Sequence, residues 1–266
     1  MKIAFWSNAR GKCSTSSNLA CIGVMNAIMY GKEAVIFENH INVSGISNYL
    51  EKKDSWGIIR ERHMYFNNIG MESLIKKLCL RDELKDIGRG YALSYADKRL
   101  FYVPTGDIVN SEFFTYELNN YAKDMMDILE GEFGCVMADT SGDNNISTKV
   151  ILEQADRIVV NLSQDRNIID NFFDNYSSIK DKCVFILSNY EPGGQIKDDY
   201  LVKKHKVKRE RIGVIPYSYE LRDALLQGKI VEFLSKNYMC KKKDNAFYLI
   251  NELKRTCMLV MEEMYA

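Results

Sequence analysis

The stretch Met1–Ala27 places an apolar strand, a tight polar loop and a helix in immediate succession. Ile3–Trp6 is a short run of bulky apolar residues, which is typical of a strand buried in a sheet. The loop Ser7–Thr15 contains a Gly-Lys pair, and Ser17–Met25 follows it as a helix rich in small residues. N–H groups at a helix start have no partner within the helix, and the helix dipole favours an anion there. The stretch therefore predicts a phosphate-binding loop within an α/β fold.

The rest of the chain alternates short apolar strands with helices. Apolar strands without polar alternation indicate a mostly parallel, twisted sheet with helices on both faces, which is a three-layer α/β architecture. The 266 residues, 46% of them hydrophobic, favour a single domain over 1–266. The further predicted strands are Ala34–Phe37, Leu100–Pro104, Cys135–Ala138, Arg157–Asn161, Cys183–Leu187 and Arg211–Ile215. The further predicted helices are Met71–Leu78, one through Leu118 and Leu129, Thr148–Gln154, Asp170–Ile179, Lys197–Arg209, Tyr219–Gln227 and Ala246–Glu263.

Composition and charge limit the classes of binding partner and the cellular compartment that we expect. The 36 basic residues balance the 36 acidic ones, so no global field draws the protein to nucleic acid or anionic lipid. The sequence has no apolar run of about 18 residues and no cleavable leader, which predicts a cytoplasmic protein that does not insert into a membrane. The seven cysteines are odd in number and lack metal-ligand spacing. We expect buried, reduced thiols, among them Cys21, Cys79, Cys135 and Cys183.

Polar segments follow three predicted strands at their carboxyl ends. These segments are Ser7–Ser14, Glu38–His40 and Asp139–Asp143. Ligands of open parallel sheets bind at this edge, so the sequence predicts one site built from all three segments. Lys12 is interpreted as a phosphate ligand at the helix start, the alternative being a solvated lysine in a turn. Asp139 is interpreted as a carboxylate that serves a bound metal ion, the alternative being a turn or N-cap residue.

Six segments of the sequence stand in the order found in one known family. Ser7–Ser14, followed by Asn18-Leu19-Ala20, corresponds to a loop that in the family is Lys-Gly-Gly-x-Gly-Lys-Thr-Thr. Asp139–Gly142 corresponds to a segment with the pattern Asp-Ser/Thr-Pro-x-Gly. The other matching segments are Ala155–Val160, Ser188–Tyr190, Val214–Tyr217 with Leu221–Ala224, and Gln227–Lys229. Over nearly its whole length the chain resembles the ParA/MinD family of deviant Walker P-loop ATPases, which implies the P-loop NTPase fold.

The resemblance implies a site for ATP or ADP, together with Mg²⁺. The family's phosphate loop corresponds to Asn8, Ala9, Arg10, Gly11, Lys12, Cys13 and Ser14. The family's adenine-reading Asn corresponds to Asn189, and Pro216 lies in the C-terminal loop on the nucleotide side. Asp139 matches the Walker B carboxylate near the metal ion, and Ser14 is a candidate replacement for the metal-binding hydroxyl. The resemblance also implies a two-fold dimer associated with the nucleotide.

The sequence departs from the family pattern at the groups that hydrolyse ATP. Ser7 stands where the family has its signature lysine, and Cys13 stands where it has the hydroxyl that ligates Mg²⁺. His40 replaces the second Asp of the switch I motif. Losing one group that stabilises the transferring phosphoryl typically costs a factor of ~10²–10³ in rate. We therefore expect weak or absent hydrolysis, whereas binding through backbone N–H groups persists.

Several residues allow two interpretations. His40 is either a catalytic general base or a loop histidine at a site where selection for hydrolysis has relaxed. Arg10 either supplies positive charge in place of the lost lysine or is a solvated loop residue. Cys13 is either a reactive thiol at a helix start or a plain substitution. The basic run Lys203–Arg211 is more typical of a solvated helix face than of a DNA contact. The amphipathic stretch Phe247–Met261 is more typical of a helix that covers the sheet than of a membrane anchor.

The resemblance favours an ATP-binding homodimer that serves as a localisation or assembly factor. The irregular Walker A loop resembles that of TadZ/CpaE-like proteins of pilus assembly, which implies protein partners in pilus or secretion machinery. One alternative is an active partition or positioning ATPase in which Arg10 and Ser14 substitute for the lost groups. Another is a nucleotide-free pseudo-ATPase scaffold. A reductase of the nitrogenase iron-protein type is disfavoured because no paired cysteines follow Asp139.

Overall fold

The computed structural model describes residues 1–40, 45–52, 69–80, 87–105, 111–140, 142 and 145–265. The strands are β1 Lys2–Trp6, β2 Ala34–Glu38, β3 Leu93–Tyr95, β4 Leu100–Val103, β5 Val136–Asp139, β6 Arg157–Leu162, β7 Cys183–Tyr190 and β8 Ile212–Pro216. The helices are α1 Thr15–Tyr30, α2 Ser47–Leu50, α3 Met71–Leu80, α4 Ile87–Tyr91, α5 Ser111–Phe133, α6 Ile146–Gln154, α7 Arg166–Asn175, α8 Asp199–His205, α9 Tyr219–Leu226, α10 Ile230–Asn237 and α11 Phe247–Tyr265. Two short 3₁₀ helices span Ser177–Lys182 and Arg209–Arg211.

The described strands form one sheet in the order β3-β4-β2-β5-β1-β6-β7-β8. Every neighbouring pair is parallel except β3 with β4. β1 lies between β5 and β6, so Ala4 stands opposite Ala138 on one side and Ile158 on the other. From β1 the chain adds β2 and β4 on one side and later β6, β7 and β8 on the other, and such a reversal of strand order opens a crevice at the carboxyl ends of the strands. The predicted, mostly parallel α/β sheet is confirmed.

Alternate residues of the central strands fill two apolar layers, one on each face of the sheet. In β1, Ala4 and Trp6 face one layer, and Ile3 and Phe5 face the other. Because successive side chains of a strand point to opposite faces, an unbroken apolar strand needs helices on both sides. The first layer includes Leu74 of α3, Met125 of α5 and Phe172 of α7, and the second includes Leu19 of α1, Leu234 of α10 and Leu253 of α11. The predicted three-layer arrangement is therefore confirmed.

Local chemistry fixes where several helices begin and end. The side chains of Asn145, Asp165 and Ser218 each accept a hydrogen bond from a backbone N–H in the first turn of α6, α7 and α9. Such caps satisfy donors that have no acceptor inside the helix. Gly31 adopts a left-handed conformation with φ 60° and ends α1, as glycine commonly does after a helix. The loop that follows α1 therefore turns directly into β2.

The structure differs from the sequence predictions at several elements. Strand β3 and helix α10 were not predicted, since β3 has only three residues and α10 follows a short turn at Gly228. The helix predicted over Lys197–Arg209 is confined to α8, because Lys206 adopts a left-handed conformation with φ 56° and ends it. Strand β7 continues past its apolar run to Tyr190. These differences lie away from β1, β2 and β5 and leave the predicted sheet intact.

The cysteine prediction is partly wrong. Cys21, Cys135 and Cys183 are buried and unpaired as expected, but Cys79 is exposed. Cys79 lies one residue after Leu78, the last core residue of α3, and one residue is about 100° of rotation around a helix. Its side chain therefore points away from the face that packs against the sheet.

The basic run and the C-terminal stretch take the structural roles that we favoured. Lys204 makes an ion pair of 2.6 Å with Asp170, and Arg209 pairs with Asp198 and Asp199. These basic side chains are thus partly neutralised by neighbouring acids. Helix α11 buries its apolar side against α1 and the sheet rather than presenting it to solvent. Among the described residues, no helix is both long and apolar enough to span a bilayer.

Helix α11 also protects the outer strand β8. Thr256 is fully buried, and its hydroxyl accepts a hydrogen bond of 3.1 Å from Val214 N and donates one of 2.9 Å to Val214 O. A Cβ at Gly213 would meet Thr256 at 2.8 Å, so the glycine allows this close approach. Unpaired backbone groups on an outer strand invite pairing with another chain. A single threonine therefore satisfies both outward-facing backbone groups of Val214 in β8.

We expect Thr256→Val to lower the free energy of unfolding by about 2 kcal/mol, because it leaves a buried N–H and a buried carbonyl unpaired at nearly constant volume. Thr256→Ser keeps the hydroxyl and removes one methyl, and should cost only about 1 kcal/mol. Urea unfolding followed by circular dichroism measures both values. A larger loss in the serine variant than in the valine variant would contradict the role assigned to the hydroxyl.

Candidate functional site

A cavity of about 310 Å³ opens at the carboxyl ends of β1, β2 and β5. The structure brings the three predicted polar segments together at its wall, in the crevice that the strand order creates. The volume lies at the lower end of the range for small-molecule sites, about 300–1,000 Å³. The described lining residues are Ser7, Arg10, Gly11, Ser14, Thr15, Ser16, Ser17, His40, Tyr49, Asp139, Thr140 and Gly142.

The N-terminus of α1 forms one wall of this cavity. The first helical hydrogen bond runs from Asn18 N to Ser14 O, so the N–H groups of Thr15, Ser16 and Ser17 have no acceptor within the helix. The same three residues carry hydroxyl groups, and no acidic residue lies in the first turn. Arg10 adds a positive charge at the rim. These donors and the helix dipole make the wall suited to an anion such as phosphate.

A buried polar network holds the start of α1 against the sheet. The Asn18 amide donates to Asn161 Oδ1 of β6 at 2.8 Å and to Ser188 Oγ of β7 at 2.7 Å. Ser188 Oγ in turn donates to the carbonyl of Cys13 at 2.7 Å. Asn18, Asn161 and Ser188 are all buried, so these bonds form where water does not compete. The network therefore fixes the loop relative to two strands.

The structure turns several predicted loop ligands away from the cavity. The Asn8 amide donates to Ile168 O and Asn171 Oδ1 of α7, and Ala9 packs against the apolar layer on that face. Lys12 is exposed and is not among the described residues that line the cavity. Arg10, Gly11 and Ser14, in contrast, form part of its wall. Assignment of Lys12 as a phosphate ligand stays a prediction.

The Cys13 side chain is buried and takes no part in the cavity wall. It is 1% exposed, and burial raises the pKa of its thiol, which Ser7 and Ser163 offset only in part. A raised pKa disfavours the reactive thiolate. The hypothesis of a reactive thiol is therefore wrong, because the residue precedes the helix start and points into the core. The plain-substitution interpretation fits the structure.

Three ligating side chains converge where β2 and β5 end. One ligand atom from each of Glu38, His40 and Asp139 lies within 4.8 Å of the others. His40 Nε2 is 3.2 Å from Asp139 Oδ2, and the Glu38 and Asp139 side chains are each about 1% exposed. The sequence motif places Glu38 in the switch I segment but assigns it no role. Its position, as an acid at the end of an apolar strand, is the sequence signal that marks it as a candidate site residue.

Burial and neighbouring charges shift the pKa values of Glu38 and His40 in this cluster. Burial, and after it the nearby Asp139 charge, raise the pKa of Glu38 to about 7 against the opposing effect of the Tyr102 hydrogen bond. Desolvation lowers the pKa of His40, but its hydrogen bond to Asp139 and the two neighbouring carboxylates outweigh this, so the net pKa is raised. The cluster therefore holds a proton or another positive charge between two buried carboxylates.

Asn189 and Pro216, which the resemblance assigns to the adenine and to the nucleotide-side loop, are not among the described residues that line the cavity. Asn189 adopts a left-handed conformation with φ 49° at a bulge in β7, and its amide donates to Ser14 Oγ at 2.9 Å. Pro216 is buried at the end of β8, opposite Tyr190. Asn189 thus contacts the loop directly, and its link to adenine stays a prediction.

The residues at the cavity fit a cation only in part. Asp139 presents two buried carboxylate oxygens, of which Oδ2 contacts His40 Nε2 at 3.2 Å and Oδ1 has no hydrogen-bond partner in the described residues, which suits a divalent ion. Ser14 Oγ lies at the cavity wall, whereas the Cys13 thiol does not. A Mg²⁺ ion would therefore be held through Asp139 and Ser14 rather than through the residue that follows Lys12. When bound, Mg²⁺ would neutralise phosphate charge.

Comparison with solved structures identifies which known fold this chain has. No family model matches the sequence, and no curated protein matches it either. The ParA family ATPase from Chlorobium tepidum superposes with a TM-score of 0.71 at 12% identity, covering 96% of this chain and 98% of that one. The chain has the fold of ParA family and MinD ATPases.

Two further solved structures share this ParA/MinD fold over nearly their whole length. MinD from Pyrococcus horikoshii, complexed with Mg-ADP, has a TM-score of 0.69 at 13% identity and covers 99% of this chain and 95% of its own. The MinC:MinD cell division protein complex of Aquifex aeolicus has a TM-score of 0.66 at 14% identity, covering 98% and 95%. The resemblance stated from sequence motifs is thus matched by the three-dimensional fold.

Proposed function

We propose that this ParA/MinD-like protein binds ATP or ADP, hydrolyses ATP slowly or not at all, and acts as a cytoplasmic localisation or assembly factor. The observation that carries the proposal is the cavity at the N-terminus of α1. Its wall combines the N–H groups of Thr15, Ser16 and Ser17 with the charge of Arg10. A triphosphate is the anion that this fold is suited to bind, and the Pyrococcus horikoshii relative is complexed with Mg-ADP.

Three positions support weak hydrolysis. Ser7, at the position of the signature lysine, uses its hydroxyl to accept a hydrogen bond of 3.1 Å from Ala9 N within its own loop. Cys13 is buried away from the cavity, and His40, which lines the cavity, has its Nε2 paired with Asp139. A general base must reach the proton that it abstracts. At these three positions the chain has serine, cysteine and histidine in place of the signature lysine, the metal-binding hydroxyl and the switch I aspartate, which supports slow hydrolysis.

The proposed role is carried out by a nucleotide-associated homodimer with protein partners in pilus or secretion machinery. Support comes from fold-level analogy, since the Aquifex aeolicus MinD structure is a complex with the protein MinC. The TadZ/CpaE-like assignment rests on the irregular phosphate loop. In such a protein the bound nucleotide would act mainly as a structural ligand that sets the dimer.

Calorimetry with ATP and ADP, combined with a turnover assay, tests this function. We expect micromolar to millimolar binding of both nucleotides and ATP turnover below ~0.01 s⁻¹, the intrinsic rate of a GTPase with its arginine in place. We expect Lys12→Ala to weaken nucleotide binding, because an exposed lysine beside the cavity can turn its charge toward the phosphates. Lys32→Ala, at an exposed position beyond α1, is the matched control.

The same measurements separate the alternatives. Lys12-dependent turnover at ~0.01 s⁻¹ or faster would replace the proposal with an active partition or positioning ATPase. Absence of heat with either nucleotide at millimolar concentration would favour the nucleotide-free scaffold. The exposed position of Lys12 is the observation that keeps the scaffold as the second candidate.

A further inference from the structure

The Glu38–His40–Asp139 cluster contains more buried ligand atoms than its internal contacts use. Glu38 Oε1, His40 Nδ1 and Asp139 Oδ1 are buried without a hydrogen-bond partner in the part of the chain that the structure describes, and Asp139 Oδ2 has only its ion-pair contact of 3.2 Å with His40 Nε2. An unpaired buried polar atom typically costs 1–3 kcal/mol, and charged groups cost more. A fold retains several such atoms at one point when they serve a ligand that compensates them.

The cluster is also pre-organised from behind. Glu38 Oε2 accepts hydrogen bonds from the Tyr102 hydroxyl at 2.5 Å and from Ile46 N at 3.1 Å, which leaves Oε1 as the oxygen without a partner among the described residues. A Cβ at Gly45 would come within 2.9 Å of Glu38 Oε2, so the chain packs closely over this carboxylate. Partners of this kind orient metal ligands in known sites.

We propose that Glu38, His40 and Asp139 form a binding site for a divalent first-row transition-metal ion such as Mn²⁺. Two carboxylates and one imidazole are a donor set that such ions accept, whereas Mg²⁺ prefers oxygen ligands alone. The ligand atoms lie within 4.8 Å of one another, so small side-chain rotations bring them to bonding distance from one ion. The ion compensates the negative charge of the two buried carboxylates.

The site shares Asp139 with the Mg²⁺ position implied by the fold family but differs from it in its other ligands. That position uses a hydroxyl at the start of α1, whereas this cluster sits between the ends of β2 and β5 and includes a nitrogen donor. His40 and Asp139 also line the cavity, so an ion held here has an open side toward it. Binding requires no nucleotide, and the proposal stands or falls independently of ATP binding.

Mn²⁺ titration of chelator-treated protein, followed by electron paramagnetic resonance without nucleotide, tests the site. Mn²⁺ is the probe because the seven cysteines would bind softer ions. We expect Mn²⁺ to bind at least ~10-fold more tightly than Mg²⁺ in competition, with electron spin-echo modulation from a directly coordinated ¹⁴N. His40→Gln should abolish that modulation and weaken Mn²⁺ binding ~10-fold or more while leaving Mg²⁺ binding nearly unchanged.

Matched variants keep the outcome decisive. Asp139→Asn and Glu38→Gln remove carboxylate charge at similar shape and should each weaken Mn²⁺ binding by ~10-fold or more. His205→Gln is the control, since His205 also pairs with an aspartate, Asp170, at 2.8 Å but has no third ligand, and it should leave binding unchanged. Equal affinity for Mn²⁺ and Mg²⁺, ¹⁴N modulation that survives His40→Gln, or an equal loss in His205→Gln would overturn the proposal in favour of a metal-free ion pair.

Discussion

Replacing Ser16 by aspartate should lower the affinity of the protein for ATP by about 100-fold or more. Ser16 lies in the first turn of α1 and lines the cavity. A carboxylate there faces the phosphates, and two like charges about 4 Å apart at an effective dielectric constant of 20 repel by about 4 kcal/mol. The same carboxylate interacts favourably with the helix dipole, so the fold itself should not be destabilised. Calorimetry with ATP and thermal unfolding measure the two effects separately.

Ser94→Asp is the matched control for this prediction. It adds the same charge to an exposed position on β3, at the outer edge of the sheet. Its ATP affinity should stay within about twofold of the wild type, because a surface charge far from the site is screened. If both variants weaken binding equally, general charge repulsion explains the loss. If Ser16→Asp binds ATP normally, the N-terminus of α1 is not where the phosphates sit.

Replacing Gly228 by alanine should lower the free energy of unfolding by about 3 kcal/mol. Gly228 follows α9 with φ 66°, a conformation that costs an L-residue roughly 1–2 kcal/mol. A Cβ there would also lie 2.3 Å from the carbonyl carbon of Glu51 and 2.4 Å from Lys52 N, which are backbone atoms that cannot rotate away. Overpacking of this kind typically adds about 1–3 kcal/mol. Urea unfolding measures the total.

Two other glycines separate the causes of this loss. Gly134 has φ 73° with no atom within 4 Å of an added Cβ, so Gly134→Ala should show only the conformational cost of about 1 kcal/mol. Gly193 has neither a positive φ nor a close neighbour, and Gly193→Ala should stay within about 0.5 kcal/mol of the wild type. If Gly228→Ala has a free energy of unfolding equal to or above that of Gly134→Ala, the close packing of Gly228 against Glu51 and Lys52 is contradicted.

The location of the site could be predicted from the sequence because it follows from topology. In a parallel sheet, strands that run in the same direction end at the same edge, so the polar residues after β1, β2 and β5 had to meet. The positions of Arg10, Ser14, His40 and Asp139 at one cavity follow from this rule alone. The mostly parallel sheet was predictable for the same reason, since its strands are apolar on both faces.

Side-chain directions inside the loop could not be predicted, because they depend on tertiary contacts. Asn8 turns toward α7 because an amide and a carbonyl of that helix are within hydrogen-bonding distance. Ser14 takes a left-handed conformation, and α1 begins directly after it at Thr15, two residues before the predicted start at Ser17. The pairing of Glu38 with Tyr102 joins residues 64 positions apart. No sequence pattern within a single segment encodes contacts of this kind.

Crystallisation with ATP and Mg²⁺ tests the central claim most directly. We predict density for a triphosphate against the first turn of α1, from Thr15 to Ser17, with the γ-phosphate intact after days in the crystal. Intact nucleotide would show both binding at this wall and the loss of efficient hydrolysis. Density for ADP alone, or a cavity closed by the protein's own side chains with no nucleotide bound, would contradict the account.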